Sequence, residues 1–292
     1  MKIAIIMNAQ RLTPELADKL KSDELTKKYN IQYDLFIKEP QEIESCLKSL
    51  NPESYNAYLV GGGDGTVRTI VQHLLTTPVP LAILPLGTFN LFAKSLNYPN
   101  DIELLFDMIK NNKTKMIDIA QVNNHIIINH AWIGFYYHLL KSRKKHKNIL
   151  RNNKFFKVIF NMANLFKKMP VYTLEVKTDT ESSIHKTCLI FIGNNESSTR
   201  FLDFGEHKSL TSGLLSVTIL NCTTRWELFF CFIQMMFKDL KDIQKITEFK
   251  VDNLTILSQL NRVNTVIDGE LFTLEQPLNF KIYQKILTVV IP

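Results

Sequence analysis

The chain has 292 residues, 45% of them hydrophobic and 22% charged, with only ten glycines and ten prolines; this excludes a disordered or fibrous polypeptide and leaves room for two globular domains. Its four cysteines form no CxxC pair and no HExxH occurs, so neither a disulfide framework nor a zinc site is expected, and a reducing cytoplasm is the expected compartment. The formal net charge of +7 points to an anionic partner: nucleotide, nucleic acid or acidic membrane.

Met1–Asn8 has no basic n-region and no long apolar stretch, and reads as a first strand, Lys2–Met7, rather than a signal peptide. A helix over Glu15–Lys28, a strand over Gln32–Ile37 and a helix over Pro40–Leu50 follow. The strand Ala57–Val60 then runs into a glycine cluster. Val67–Leu75 is helical, Leu81–Leu84 is a strand ending at Pro85, and Phe89–Leu96 and Ile102–Asn111 are helical. Buried-type strands alternating with helices predict a parallel sheet covered on both faces.

After Asp118 the pattern changes. Strands are expected over Lys115–Val122, His125–Trp132, Val171–Thr178, His185–Gly193 and Gly213–Leu220. Others are expected over Glu248–Val251, Leu254–Ser258, Asn264–Ile267, Leu278–Ile282 and Ile286–Ile291. Two helices, about Asn153–Lys168 and Trp226–Lys241, interrupt them. Many short strands predict an antiparallel sandwich or barrel. The expected domains are therefore 1–118, an α/β nucleotide-binding domain, and 119–292, a β-rich substrate domain. The longest apolar run, Leu228–Phe237, is too short for the ~20 residues that span a bilayer.

The stretch Gly61-Gly62-Gly63-Asp64-Gly65-Thr66 joins a buried strand to a helix. Glycines let the backbone approach an anion closely, and N–H groups at the helix start point at it with the dipole behind them. Asp64 fits beside phosphate when Mg²⁺ lies between the two. The plainer alternative is a tight turn with Asp64 as an N-cap. A second strand end, Leu84-Pro85-Leu86-Gly87-Thr88-Phe89-Asn90, again ends at a glycine and opens a helix that Thr88 is placed to cap. Ligands of open α/β sheets sit at such strand ends, and Thr88 and Asn90 can donate to phosphate or ribose oxygens.

Farther on, Asp268-Gly269 between apolar runs is a hairpin signal in its own right. Glu270 adds a second carboxylate beside the turn. If partly desolvated there, it could act as a general base and take the proton of an attacking hydroxyl.

Together these stretches resemble the diacylglycerol kinase catalytic-domain family, which includes bacterial lipid kinases and sphingosine kinases. Gly62–Thr66 matches the family's GGDGT, Pro85–Ala93 its PLGTxNxFA, and Asp268-Gly269-Glu270 its DGE. The resemblance implies a Rossmann-like nucleotide domain, a β-sandwich lipid domain and a cleft between them. It implies ATP contacts by Gly61 to Thr66, Thr88 and Asn90, with Asn8 in the first loop. It further implies Asp64 in a Mg²⁺ and phosphate network, and Glu270, assisted by Asp268, as the base. The chain departs from the family at four places, the first being Phe36-Ile37-Lys38, where the family often has a nucleotide-contacting Thr. Asn8-Ala9-Gln10-Arg11-Leu12 replaces NPxSG, Leu91 stands where many lipid kinases carry Asp, and Thr211-Ser212 precedes Gly213 where a structural Mg²⁺ is common.

A lipid kinase has to touch a bilayer, and the basic run Lys141–Lys157 with Phe155, Phe156, Ile159, Phe160, Leu165 and Phe166 is the expected anionic-membrane contact. Trp226–Ile233 is expected to be a helix packed on the sandwich rather than a membrane contact. Three other readings stay open. An NAD kinase shares GGDGT, and Asn194-Asn195-Glu196 resembles its Asn-Glu motif. A catalytically degenerate lipid-binding protein would follow from Leu91. A nucleic-acid binder is suggested only by the basic run and is not expected. The lipid and the oligomeric state carry no readable signal.

Overall fold

In the computed structural model the described residues are 1–75, 77–145, 170–195, 209–235 and 240–292. The expected helix Asn153–Lys168, the basic run from His146 onward and Glu196 lie outside them. The chain forms two compact units: Met1–Ile119 with Ser209–Thr211 and Tyr283–Pro292, and Ala120–Lys208 with Ser212–Ile282.

In the first unit, β1 (Lys2–Asn8) lies between β2 (Gln32–Lys38) and β3 (Ala57–Gly62), and β4 (Leu81–Pro85) follows β3. All of these pairings are parallel. The end of the last strand of the chain, β16 (Leu278–Val290), completes the sheet, with Val289 parallel to Leu81. Ile3 to Met7, Ala57 to Val60 and Leu81 to Leu84 are all buried. Strands covered on both faces need this unbroken apolar run, which is why they were legible.

Helices α1 (Pro14–Lys21), α2 (Glu24–Tyr29), α3 (Ile43–Ser49), α4 (Asp64–Leu74), α5 (Leu91–Ser95) and α6 (Ile102–Asn111) complete this unit. α4 buries Val67, Ile70, Val71 and Leu74, the i, i+3, i+4, i+7 stripe of an amphipathic helix. The single helix expected over Glu15–Lys28 is two. It breaks at Ser22, whose hydroxyl donates to the carbonyl of Lys19 at 2.8 Å, a side-chain bond that competes with helix propagation.

The second unit is an antiparallel sandwich. One sheet runs β12 (Ile246–Val251), β11 (Leu215–Leu220), β10 (Leu189–Gly193), β7 (His130–Gly134), β14 (Arg262–Ile267), β15 (Glu270–Glu275). The other contains β9 (Ser182–Thr187), β8 (Tyr172–Lys177), β13 (Asn253–Ser258) and the start of β16. Every second residue of these strands turns inward, and Ile133, Ile190, Ile192, Val217, Ile219, Leu254, Ile256 and Phe280 share one core.

Four expected strands are corrected by long-range partners. His125–Trp132 is two strands, β6 (His125–Ile127) and β7, because N–H groups between and at the start of them turn to Asp268. His185–Gly193 is also two, β9 and β10, broken at Cys188, whose N–H donates to the carbonyl of Leu220 at 3.3 Å. Leu278–Ile282 and Ile286–Ile291 are one strand, bent at Lys285, whose φ is 50°. A helix not expected from sequence, α7 (Phe135–Lys145), follows Gly134, whose φ of 112° turns the chain out of β7.

Helix α8 (Arg225–Met235) packs Leu228, Cys231 and Met235 against Phe135, Leu189, Leu220 and Ile246. It is not wholly buried as expected: Trp226, Phe229, Phe230 and Ile233 are exposed. No helix among the described residues is long and apolar enough to cross a membrane.

Candidate active site

The two glycine-bearing strand ends are neighbours. β3 and β4 pair with Gly61 opposite Leu84 and Gly62 opposite Pro85, and the N–H of Leu86 donates to the carbonyl of Gly62 at 3.0 Å. Gly61 and Gly62 belong to the strand itself, and only Gly63 lies in the turn. A Cβ on Gly87 would sit 2.5 Å from the Cα of Gly63, so the two loops touch through bare backbone. Gly63, as N-cap, has no side chain for the first turn of α4, which therefore presents its N–H groups at this point.

Asp64 has a role that neither sequence reading assigned. It does not cap its own helix. Its carboxylate accepts from the N–H of Leu91 at 3.3 Å and of Phe92 at 3.1 Å, so it caps α5 and ties the first loop to the second. Thr88, expected to do this, is exposed and lies outside the helix. Asn90 sits at φ 50°, and its amide closes the second loop on itself: Oδ1 accepts from the Gly87 N–H at 2.8 Å and Nδ2 donates to the Gly87 carbonyl at 3.0 Å. Asn90 thus shapes the loop instead of reaching outward.

Asn8, at the end of β1, is buried. It donates from Nδ2 to the Thr66 hydroxyl at 3.0 Å and accepts from the Gln10 N–H at 3.0 Å. It fastens the first residues of α4 to the neighbouring strand end. Asn8, Gly61 to Thr66, Thr88 and Asn90 therefore all lie at or just beyond the carboxyl ends of the neighbouring strands β1, β3 and β4 of the first unit.

In the second unit, Asp268 and Gly269 have φ values of 48° and 82°, the two positive angles of a type I′ hairpin turn. The Asp268 carboxylate accepts three main-chain bonds, from Ile128 at 3.0 Å, Asn129 at 2.8 Å and His130 at 3.1 Å. The turn is thereby fixed to the bend between β6 and β7. Glu270 opens β15 opposite Ile267 and is exposed, not partly desolvated as expected.

Two of the residues compared with an NAD kinase motif serve the fold. Asn194 donates to the Ile128 carbonyl at 3.0 Å, and Asn195 accepts from the N–H and hydroxyl of Ser212 at 2.8 and 3.0 Å. Sequence reading also missed Asp118. It is 1% exposed and accepts from the N–H of Lys285 at 2.8 Å, holding the bend of β16. Among the described residues, no three His, Cys, Asp or Glu side chains gather into a metal-holding group.

Residues 2–122 match the family described as the diacylglycerol kinase catalytic domain. The matched stretch contains GGDGT and PLGTxNxFA, two of the motifs that carry the resemblance. A diacylglycerol kinase of Staphylococcus aureus is 27% identical over 179 residues, covering 60% of this chain and 56% of that protein. An uncharacterised protein of Synechocystis is 24% identical over 261 residues, covering 86% of this chain and 59% of that protein. The chain thus aligns with just over half the length of these relatives. The crystal structure of a diacylglycerol kinase from Bacillus anthracis superposes with a TM-score of 0.70 at 18% identity, covering 100% of this chain and 97% of that one. This likeness establishes the diacylglycerol-kinase-type fold, an α/β part with parallel strands and a separate antiparallel sheet.

Proposed function

We propose that the chain is a lipid kinase that transfers the γ-phosphoryl of ATP to a lipid hydroxyl. The observation that carries this reading is the joined pair of loops: Gly63 against Gly87, with Asp64 holding the start of α5. A Cβ at Gly87 would fill the place where the two backbones meet, so the cradle suits a ligand recognised by main-chain N–H groups, as a nucleotide phosphate is. Bound ATP supplies the phosphoryl group and a stable leaving group. The chain's own residues hold the phosphates on Gly63 to Thr66 and orient them through the fixed loop of Gly87 to Asn90.

Glu270 is proposed to take the hydroxyl proton as the acceptor oxygen bonds to phosphorus and the bond to the β-phosphate oxygen breaks. Asp268 positions it by fixing the turn through three main-chain bonds. The residues present do not fit a protein-built Mg²⁺ site: the glycine loops contribute one carboxylate, Asp64, which is turned to the N–H groups of α5, and Leu91 offers no oxygen.

The test is incubation with Mg-ATP labelled in the γ-phosphate and a panel of mixed lipids, following label into the organic phase. Glu270→Ala should lower the rate about 100-fold or more, the lower end for loss of a general base. Label in neither sample would refute the kinase, and equal label in both would remove Glu270 as the base. Transfer to NAD in a parallel reaction would replace the lipid acceptor with a dinucleotide.

A further inference from the structure

Helix α8 has two apolar faces. Leu228, Cys231 and Met235 fill the packed side. Trp226, Phe229, Phe230 and Ile233 recur at i, i+3, i+4 and i+7 on the opposite side, exposed to 63%, 38%, 57% and 39%. Their rings adjoin: Trp226 to Phe229 at 6.4 Å and Phe229 to Phe230 at 5.8 Å between centroids, both edge to face. An ordinary surface helix turns polar residues outward, so this face is made for an apolar partner.

Area and charge select that partner. At ~200 Å² per large side chain, the four residues expose on the order of 400 Å², half the ~800 Å² per partner of a standard protein interface. Shallow insertion into a bilayer surface needs no more than such a strip. The helix also carries no unbalanced negative charge. Its single acid, Glu227, accepts from the Thr223 N–H at 2.7 Å and from Lys245 Nζ at 3.0 Å. Arg225 is exposed beside Trp226. Phe135, at the start of α7, packs in the same cluster as Leu228, and α7 goes on to carry Lys141, Arg143, Lys144 and Lys145. Arg225 next to a Trp- and Phe-bearing strip, on a chain of net charge +7, suits the head-group layer of an anionic membrane.

We propose that the outer face of α8 inserts into the head-group layer of an anionic bilayer and holds the protein on the surface that contains its lipid acceptor. The inference builds on the lipid kinase reading and adds Trp226, Phe229, Phe230 and Ile233 to the membrane contact expected of the Lys141–Lys157 run.

The full chain is sedimented with mixed phosphatidylcholine and phosphatidylglycerol vesicles without ATP, as wild type and as Trp226→Ala/Phe230→Ala. Both side chains lie outside the packed cluster, and unchanged circular dichroism and melting confirm folding. Binding by wild type that falls at least about tenfold in the double variant supports the proposal. No binding by wild type, or equal binding by both, overturns it. A wild-type dimer on gel filtration that the variant loses, with vesicle binding unchanged, also overturns it and gives the face to a second copy. Phosphate transfer is then compared on vesicle-borne and on water-soluble short-chain acylglycerol. A variant that keeps the soluble reaction and loses the vesicle one supports surface docking. A wild type that phosphorylates neither acceptor fails as a kinase, while sedimentation still decides the membrane face.

Discussion

Replacing Asp268 separates holding the hairpin from doing chemistry there. Its carboxylate accepts from Ile128, Asn129 and His130 at 2.8 to 3.1 Å. Ile128 and Asn129 are 0% and 1% exposed, so water cannot replace the lost acceptor at two of the three N–H groups. Each buried N–H left unsatisfied costs about 1–3 kcal/mol. The site also has φ 48°, where alanine pays about 1 kcal/mol more than Asp or Asn. Asp268→Ala should therefore destabilise the second unit by about 3–5 kcal/mol, and Asp268→Asn, which keeps the turn and an acceptor oxygen, by about 1–2 kcal/mol. Urea unfolding followed by far-ultraviolet circular dichroism measures this, fitted with separate transitions if the two units melt apart. A loss below about 1 kcal/mol in Asp268→Ala would refute the argument that these three bonds hold the turn.

Gly87→Ala places a Cβ 2.5 Å from both the Gly63 Cα and Asn90 Oδ1, so it should cost about 1–3 kcal/mol of stability and weaken a fluorescent ATP analogue at least about tenfold. Unchanged nucleotide titration would show that the loops need not touch to bind. Asp118→Ala removes the acceptor of the Lys285 N–H from a buried position and should lower stability by about 2 kcal/mol, read as a shifted urea midpoint. The N–H of Thr223, with Lys245, holds the Glu227 carboxyl down at about 2. Because this pKa lies below the unfolded value of ~4.3, the stabilisation is complete above that pH and is lost on acidification toward about 2. The melting-temperature gap between wild type and Glu227→Gln should close across that window; a constant gap would contradict it.

The first unit's sheet was legible because β1, β3 and β4 are unbroken apolar runs, and such runs have few alternative structures. What escaped sequence reading was set by partners far along the chain. Nothing local at Ile128 and Asn129 announces that Asp268, some 140 residues away, will take their N–H groups. Lys285 gives no sign of a left-handed bend until Asp118 is placed beside it. The motifs marked where the nucleotide site should be sought, yet the cap expected of Thr88 is made by Asp64. Asp64 and Asn90 are first of all bonded to loop backbone, a role invisible in a string of residues because it depends on which strand end lies alongside.

The last strand has a consequence in time as well as in space. The sheet of the first unit is completed by residues near the end of the chain, with Val289 beside Leu81. While the chain is being made, β4 must wait for its outer neighbour until the whole second unit has been synthesised, roughly ten to forty seconds at ~5–20 residues per second. Through that interval Leu81 to Leu84, buried in the finished protein, form an open apolar edge of the kind on which other chains pair. A nascent chain stalled in this window should need chaperone cover that the completed protein does not.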